Sequence, residues 1–248
     1  MLSLEEIYIN TRSRELAALD RISSVDTDEI QRDSDKKMLW YHNETFALYA
    51  FFCERAINKC KQHFYVCGRI DQYSVQRKNS RLLDTGMRNI SYALLSDNKK
   101  LIEDFAKLTH SKYQWMVEHG HSTLIYAMQQ VIKEDWERLQ WSLNIMATKN
   151  QKLNAVLLPD RFFFEGLLNK DEGKVDDALK RLLKDHKKRN KYMGIAQDYI
   201  SIPALGYAKL AWLKGMEVEI NHPLVPTELL PYRPLQNYRD KYDFLSEI

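Results

Sequence analysis

At 248 residues, a compact fold would bury about three quarters of the surface its unfolded chain exposes, so a sizeable core is expected. Hydrophobic residues at 44% and charged residues at 29% exclude an intrinsically disordered chain, and a net charge of +3 is too small to indicate nucleic acid by itself. Glycine and proline number only eight and six, and all-β folds need many tight turns built from these residues, so helices are expected.

The opening stretch from Met1 to Asn10 carries Glu5 and Glu6 and lacks both a basic start and a long apolar run, which excludes a secretory signal. No segment approaches the apolar length of a membrane span. Between Val25 and Asp35 the acids Asp26, Asp28, Glu29, Asp33 and Asp35 outnumber Arg32, forming an acidic stretch that suits solvent or a charged partner. From Thr45 to Phe64 the apolar positions Phe46, Tyr49, Ala50, Cys53, Ile57, Cys60 and Phe64 recur at three and four residues, the period of one helix with a buried face. Cys53, Cys60 and Cys67 recur every seven residues, which on that helix places three buried thiols near one face. Such usage fits a reducing cytoplasm better than a zinc site, whose ligands lie closer together and come from several elements.

Leu83, Met87, Ile90 and Leu94 continue the helical period, Ser96-Asp97-Asn98 breaks it, and Leu101, Ile102, Phe105 and Leu108 start the next helix. The layout recurs twice. Ser122 precedes a helix with Leu124, Ile125, Met128 and Ile132, a turn near Glu134-Asp135 follows, and Trp136, Leu139, Leu143 and Met146 mark its partner. Phe162 to Leu168 then leads through Asn169-Lys-Asp-Glu-Gly173 to Val175, Ala178, Leu179, Leu182 and Leu183. Three helical hairpins in series predict an all-α fold, an irregular array of hairpins with tetratricopeptide-like stacking, forming a single domain over residues 1–248. Between Lys180 and Lys191 seven basic residues surround Asp185, a second candidate contact patch comprising Lys184, Lys187, Lys188, Arg189 and Lys191.

Ser201 stands where a helix N-cap is expected, Pro203 in the first turn and Gly215 at the left-handed C-terminal position. Leu205, Ala208, Leu210, Ala211, Trp212 and Leu213 make this helix apolar on most sides, which predicts a central position. Met216, Val218 and Ile220 alternate with Glu217 and Glu219 as a half-buried strand would, or as an extended segment laid along helices, before a loop pinned by Pro223, Pro226, Pro231 and Pro234.

Chemistry has little support. His119-Gly-His121, with His110 nearby, reads as a connector before a helix, because neither HExxH nor CxxC accompanies it. Glu134, Asp135 and Glu137 suit the positive end of a helix dipole. Trp115, Trp136, Trp141, Trp212 and Phe162 to Phe164 are spaced for a core, although beside the basic run they leave an RNA-binding reading open. The expectation is a protein that is not an enzyme, with no cofactor and no metal.

The segment Ser201-Ile-Pro-Ala-Leu-Gly-Tyr-Ala-Lys-Leu-Ala, followed by Lys214-Gly-Met-Glu-Val-Glu-Ile and His222-Pro-Leu-Val-Pro-Thr-Glu-Leu-Leu-Pro231, resembles the closing region of the immunity protein forty-nine family. The resemblance implies a helical protein encoded beside a toxin of a bacterial polymorphic or contact-dependent system, which it neutralises by tight binding in the cytoplasm. The signature positions Pro203, Gly206, Leu210, Gly215, Pro223 and Pro226 are apolar, Gly or Pro, so they explain fold and are not carried over as toxin contacts. The acidic stretch would suit a basic nuclease toxin and the basic run an acidic one. The acidic stretch is preferred, since a nuclease must present positive charge to its substrate. Two other readings stay open: a helical-repeat adaptor that binds a protein unrelated to toxins, and an RNA-binding protein that uses the basic run. Neither a membrane nor nucleic acid is the expected partner.

Overall fold

A computed structural model describes residues 2–84, 86–149, 154–191 and 193–248. Among these residues the fold is all-α, with twelve α-helices and no strand. The first helix, α1 (Leu4–Ser23), opens on a reciprocal cap: Glu6 N–H donates to Ser3 Oγ at 3.2 Å and Ser3 N–H to Glu6 Oε2 at 2.7 Å. A short turn leads to α2 (Glu29–Phe52), whose N-cap Asp28 accepts from Gln31 N–H at 2.8 Å.

The single helix expected from Thr45 to Phe64 is broken. Residues 53–56 form a turn in which Arg55 takes φ 56° and Ala56 N–H closes on Ala50 O at 2.8 Å, and α3 (Ile57–Lys78) starts afresh. The three-and-four spacing runs through the break because both helices face the same core, and no Gly or Pro marks it. Cys53 therefore lies exposed in the turn, while Cys60 and Cys67 are buried on α3 and burial raises both thiols. The expectation of three buried thiols on one helix is thus corrected to two.

The chain continues through a 3-10 turn at Arg81–Asp84 to α4 (Met87–Leu95), α5 (Lys99–Lys107), α6 (Tyr113–Glu118), α7 (Thr123–Lys133) and α8 (Trp136–Lys149). Then come α9 (Asn154–Asn169), α10 (Glu172–Lys184), the single turn α11 (His186–Arg189) and α12 (Ile202–Leu213). Helices α7 to α10 pack on one another in chain order, as expected of hairpins. A repeat array does not describe the whole, because α12 packs across α4, α7 and α10 instead of following its sequence neighbours. The reason lies in its composition. Apolar residues cover nearly its whole circumference, so it is stable only where other helices surround it, and Leu205, Tyr207, Ala208, Leu210 and Ala211 are fully buried.

Gly206 sets the contact between α12 and α4. A Cβ there would fall 2.0 Å from Ser91 Oγ and 2.7 Å from Ser91 Cβ, so only hydrogen fits between the two backbones. At the end of α12, Gly215 adopts φ 79°, its N–H donates to Trp212 O at 3.1 Å, and Met216 N–H reaches Ala211 O at 3.0 Å. These two bonds are those of a Schellman cap. Met216, Val218 and Ile220 then point inward and Glu217 and Glu219 outward without strand pairing, so the segment is extended chain laid on helices. Ser201 occupies the N-cap position of α12 but makes no side-chain cap there, and its N–H donates instead to Leu224 O at 2.8 Å.

Three helical segments and the tail meet at Asp97, a fully buried residue at φ 58° in the turn between α4 and α5. Its carboxylate lies 2.6 Å from Lys61 Nζ of α3 and 2.5 Å from Lys209 Nζ of α12, both lysines being buried. Each ammonium also binds tail carbonyls: Lys61 donates to Arg233 O, and Lys209 to Leu229, Leu230 and Pro231 O, at 2.8–3.1 Å. From there the tail runs along α3. Gln62 exchanges hydrogen bonds with the Arg239 backbone, Arg69 binds Asp240 and Leu245 O, and Tyr73 packs edge-on against Phe244.

Removing one member of a buried ionic cluster leaves its partners charged and unpaired, at a cost of roughly 3–5 kcal/mol. Asp97→Asn should therefore lower the urea midpoint steeply, and so should Gly206→Ala, by overpacking worth about 1–3 kcal/mol. Pro223→Ala, in an exposed turn, should shift it little; equal midpoints for all three proteins would contradict the packing described.

Candidate functional site

Surface and core divide the acidic stretch between them. Asp26 is exposed with its carboxylate in solvent, and Asp28 is exposed while capping α2. Glu29 and Asp33 each lie 3.0 Å from Lys78 Nζ, which ties the start of α2 to the end of α3 and raises the lysine pKa. Asp35 is buried, and Arg21 grips both its oxygens at 2.6 and 2.8 Å and holds its carboxyl below the usual range. Asp35 is thus a clamp between α1 and α2, and Asp26, Asp28 and Glu29 are the exposed acids of the stretch.

The basic run divides similarly. Lys184, Lys187, Lys188 and Lys191 are exposed. Arg189 instead turns inward to the fully buried Asp160, 2.8 Å from Oδ2, and Tyr207 O–H donates to the same carboxylate at 2.9 Å. His186, next to these lysines, is buried with Nε2 2.7 Å from Gln197 O. The run joins α11 to α9 and α12 as much as it forms a patch. Of the other histidines considered above, His110 binds Asp84 at 2.9 Å, and His119 bonds Trp115 O while stacking on the Trp115 ring at 4.2 Å.

Beside the acidic stretch lies an apolar surface that periodicity alone did not reveal. Ile9 and Leu16 lie seven residues apart on α1 and Leu2 lies just before its N-cap Ser3, all three more than half exposed; Val25 in the following turn and Ile30 at the start of α2 are 91% and 84% exposed. Met38 and Tyr41 continue this exposure along α2. Seven-residue spacing puts the α1 residues on one face, here turned to solvent, while Leu4, Thr11, Glu15 and Ala18 are buried. Residues 2–41 also carry nine acids against six bases in a chain that is positive as a whole.

Further along α2 a cleft of about 380 Å³ opens between α2, α3 and α4. Trp40 and Tyr41 line it from α2, Ile70, Asp71 and Ser74 from α3, and Arg88 and Asn89 from α4. Arg88 is bound to Glu44, with Nε 2.6 Å from Oε1, and its guanidinium sits 4.8 Å from the Trp40 ring centroid. Asp71 forms the floor, 2% exposed, accepting from the Trp40 indole N–H at 2.9 Å and the Asn89 amide at 2.9 Å. Both donors are neutral, and burial pushes its carboxyl up to about 8. Sequence reasoning missed this residue, although a signal existed: Asp71 falls at the apolar spacing set by Cys60, Phe64 and Cys67, where a carboxylate is out of place.

A family model described as Immunity protein 49 matches residues 44–229, well over half of the chain. No curated protein and no solved structure matches it. The match takes in Asp71, Arg88, Asn89 and all of α12, whereas α1, the acidic stretch, Trp40 and Tyr41 precede it.

A carboxyl whose folded pKa of about 8 exceeds its unfolded value binds more protons when folded. Its contribution to stability is complete below about pH 4 and is lost as pH rises through 8. Asp71→Asn, which cannot ionise, should thus melt at a higher temperature than wild type at pH 9, with the gap closing or reversing toward pH 5. A gap that does not vary with pH would contradict the burial of an unpaired carboxyl.

Proposed function

Since the chain belongs to the immunity protein 49 family, we propose that it neutralises a cognate bacterial toxin in the cytoplasm by forming a tight complex, without catalysis of its own. The family match is the observation that carries this reading. A preformed surface covers the toxin's active site or blocks the path of its substrate, and the work is done by affinity and specificity.

The surface best suited to the toxin is that of α1, the turn after it and the outer side of α2. Interfaces take most of their energy from a few apolar or aromatic anchors surrounded by a polar rim. Here Val25, Ile30 and the row Leu2, Ile9, Leu16 supply apolar anchors, and Asp26, Asp28 and Glu29 supply an acidic rim. The complementary toxin surface is apolar with basic surroundings. A nuclease presents such a surface, because its substrate is a polyanion.

Co-expression with the protein encoded by the adjacent gene tests the reading. Growth arrest by the neighbour alone, rescue by this chain and co-purification of the two are the expected results; a harmless neighbour would refute it. The lysine triple variant at Asp26, Asp28 and Glu29 should slow association by about 10- to 100-fold at low salt, an effect shrinking as salt is added. Ile30→Asp should instead act on dissociation, by roughly tenfold or more. Stopped-flow or surface-based kinetics with the purified pair separates the two.

A further inference from the structure

The buried carboxylates divide unequally. Glu15, Asp35, Glu44, Asp71, Asp97 and Asp160 are all buried, and each but one has a cation: Lys241 for Glu15, Arg21 for Asp35, Arg88 for Glu44, Lys61 and Lys209 for Asp97, and Arg189 for Asp160. Among the described residues Asp71 is the buried carboxyl with no ion pair, and it is the one that floors an open cleft. A fold that supplies a cation to every other buried acid leaves this position for one from outside.

We propose that the cleft between α2, α3 and α4 is a binding site for a guanidinium or alkylammonium group, paired with Asp71, and that its source in the cell is a basic side chain of the toxin. The second half rests on the proposed function; the first does not. Three features of the cleft fit such a group. Tyr41, 51% exposed at the rim, Ile70 and Met193 give an apolar wall for the methylene stem. Ser74 lies one helical turn from Asp71 and offers a hydroxyl to the remaining N–H groups. At about 380 Å³ the cleft has room for one long side chain.

The site is also continuous with the acidic surface. Glu29, Asp33, Lys37 and Tyr41 follow one another at four-residue steps on α2, facing Lys78, Ser74 and Asp71 on α3. A basic partner drawn to Asp26, Asp28 and Glu29 therefore meets the cleft two turns further along the same helix. The charged groups facing Asp71 are Arg88 from α4, already committed to Glu44, and Lys37 at the rim, exposed on α2. A bound cation would displace the Asp71 proton, so affinity should rise with pH up to about 8 and level off above it, the guanidinium being charged throughout.

Argininamide, with citrullinamide as control, is the probe, both N-acetylated so that the guanidinium is the one charge and the control is neutral. The Trp40 indole N–H donates to Asp71, so its NMR signal, identified by Trp40→Phe, reports the floor of the cleft directly. Argininamide should shift this signal saturably and citrullinamide should not. Asp71→Asn, whose amide oxygen still accepts from Trp40, should weaken binding at least tenfold and remove its pH dependence while its unfolding midpoint shows it folded. Tyr41→Ala at the rim should weaken binding less and keep the pH dependence. An equal response to both probes, or an unchanged response in Asp71→Asn, would overturn the site. Binding seen only in Lys37→Ala would also overturn it, because Lys37 would then be the cation that Asp71 holds. In the complex with the protein encoded next door, Asp71→Asn should raise the dissociation rate at least tenfold. Equal rates with argininamide still bound would overturn the toxin as source and leave a free small cation as the ligand. A neighbour that does not bind the wild type would count against the proposed function, while the argininamide result would still decide the site.

Discussion

The Asp97 carboxylate, buried between two lysine ammonium groups, is the contact on which the arrangement of the remaining elements depends. It draws α3 and α12 together through Lys61 and Lys209, and the same two lysines bind the carbonyls of residues 229–233. The tail is thereby held beside α3 through its backbone as well as its side chains. Apolar burial supplies most of the free energy of such a core but is indifferent to orientation. A buried ionic cluster adds little net stability, yet every arrangement that separates its members leaves a charge unpaired in the interior, which is far more costly. Here that penalty selects one placement of α12 out of the many that its all-round apolar surface would tolerate.

The same logic extends through the molecule. Arg21 with Asp35 joins α1 to α2, Arg88 with Glu44 joins α4 to α2, and Arg189 with Asp160 joins α11 to α9. Each of these three joints has its own charge pair, and Gly206 against Ser91 adds a steric key where α4 meets α12. Against this pattern Asp71, with no ion pair, is an exception, and it lines an open cleft.

The outer surface proposed to meet the toxin and the residues that hold the fold together lie largely in different parts of the chain. Residues 44–229, which the family model matches, contain the close contact at Gly206, the cap at Gly215 and the Asp97 cluster except the carbonyls of Leu230, Pro231 and Arg233. The exposed apolar row of α1, the acidic turn and the aromatic rim of the cleft precede residue 44. Under the proposed function, an inhibitor that recognises one toxin and rejects others would gain from keeping its recognising surface apart from the residues that hold its shape, since either could then vary without loss of the other.

The helical class, the positions of the hairpin turns near 97, 134 and 170, and the role of the segment from Ser201 to Gly215 as a central helix closed by glycine are all legible along the chain. These follow from local periodicity and from Gly, Pro and Asn chemistry, which act over a few residues. The sequence also placed Asp26, Asp28 and Glu29 on the surface. That α2 and α3 are two helices emerges from packing alone, because an apolar period is the same on both sides of a turn when both helices face one core. Asp35 and Arg189 were likewise read as surface charges, since a sequence does not say which distant residue will meet a charge and bury it. The cleft belongs to this second kind. Its walls come from three helices, and Asp71 acquires its character from burial without an ion pair of its own, a property of the assembled neighbourhood that no stretch of residues encodes.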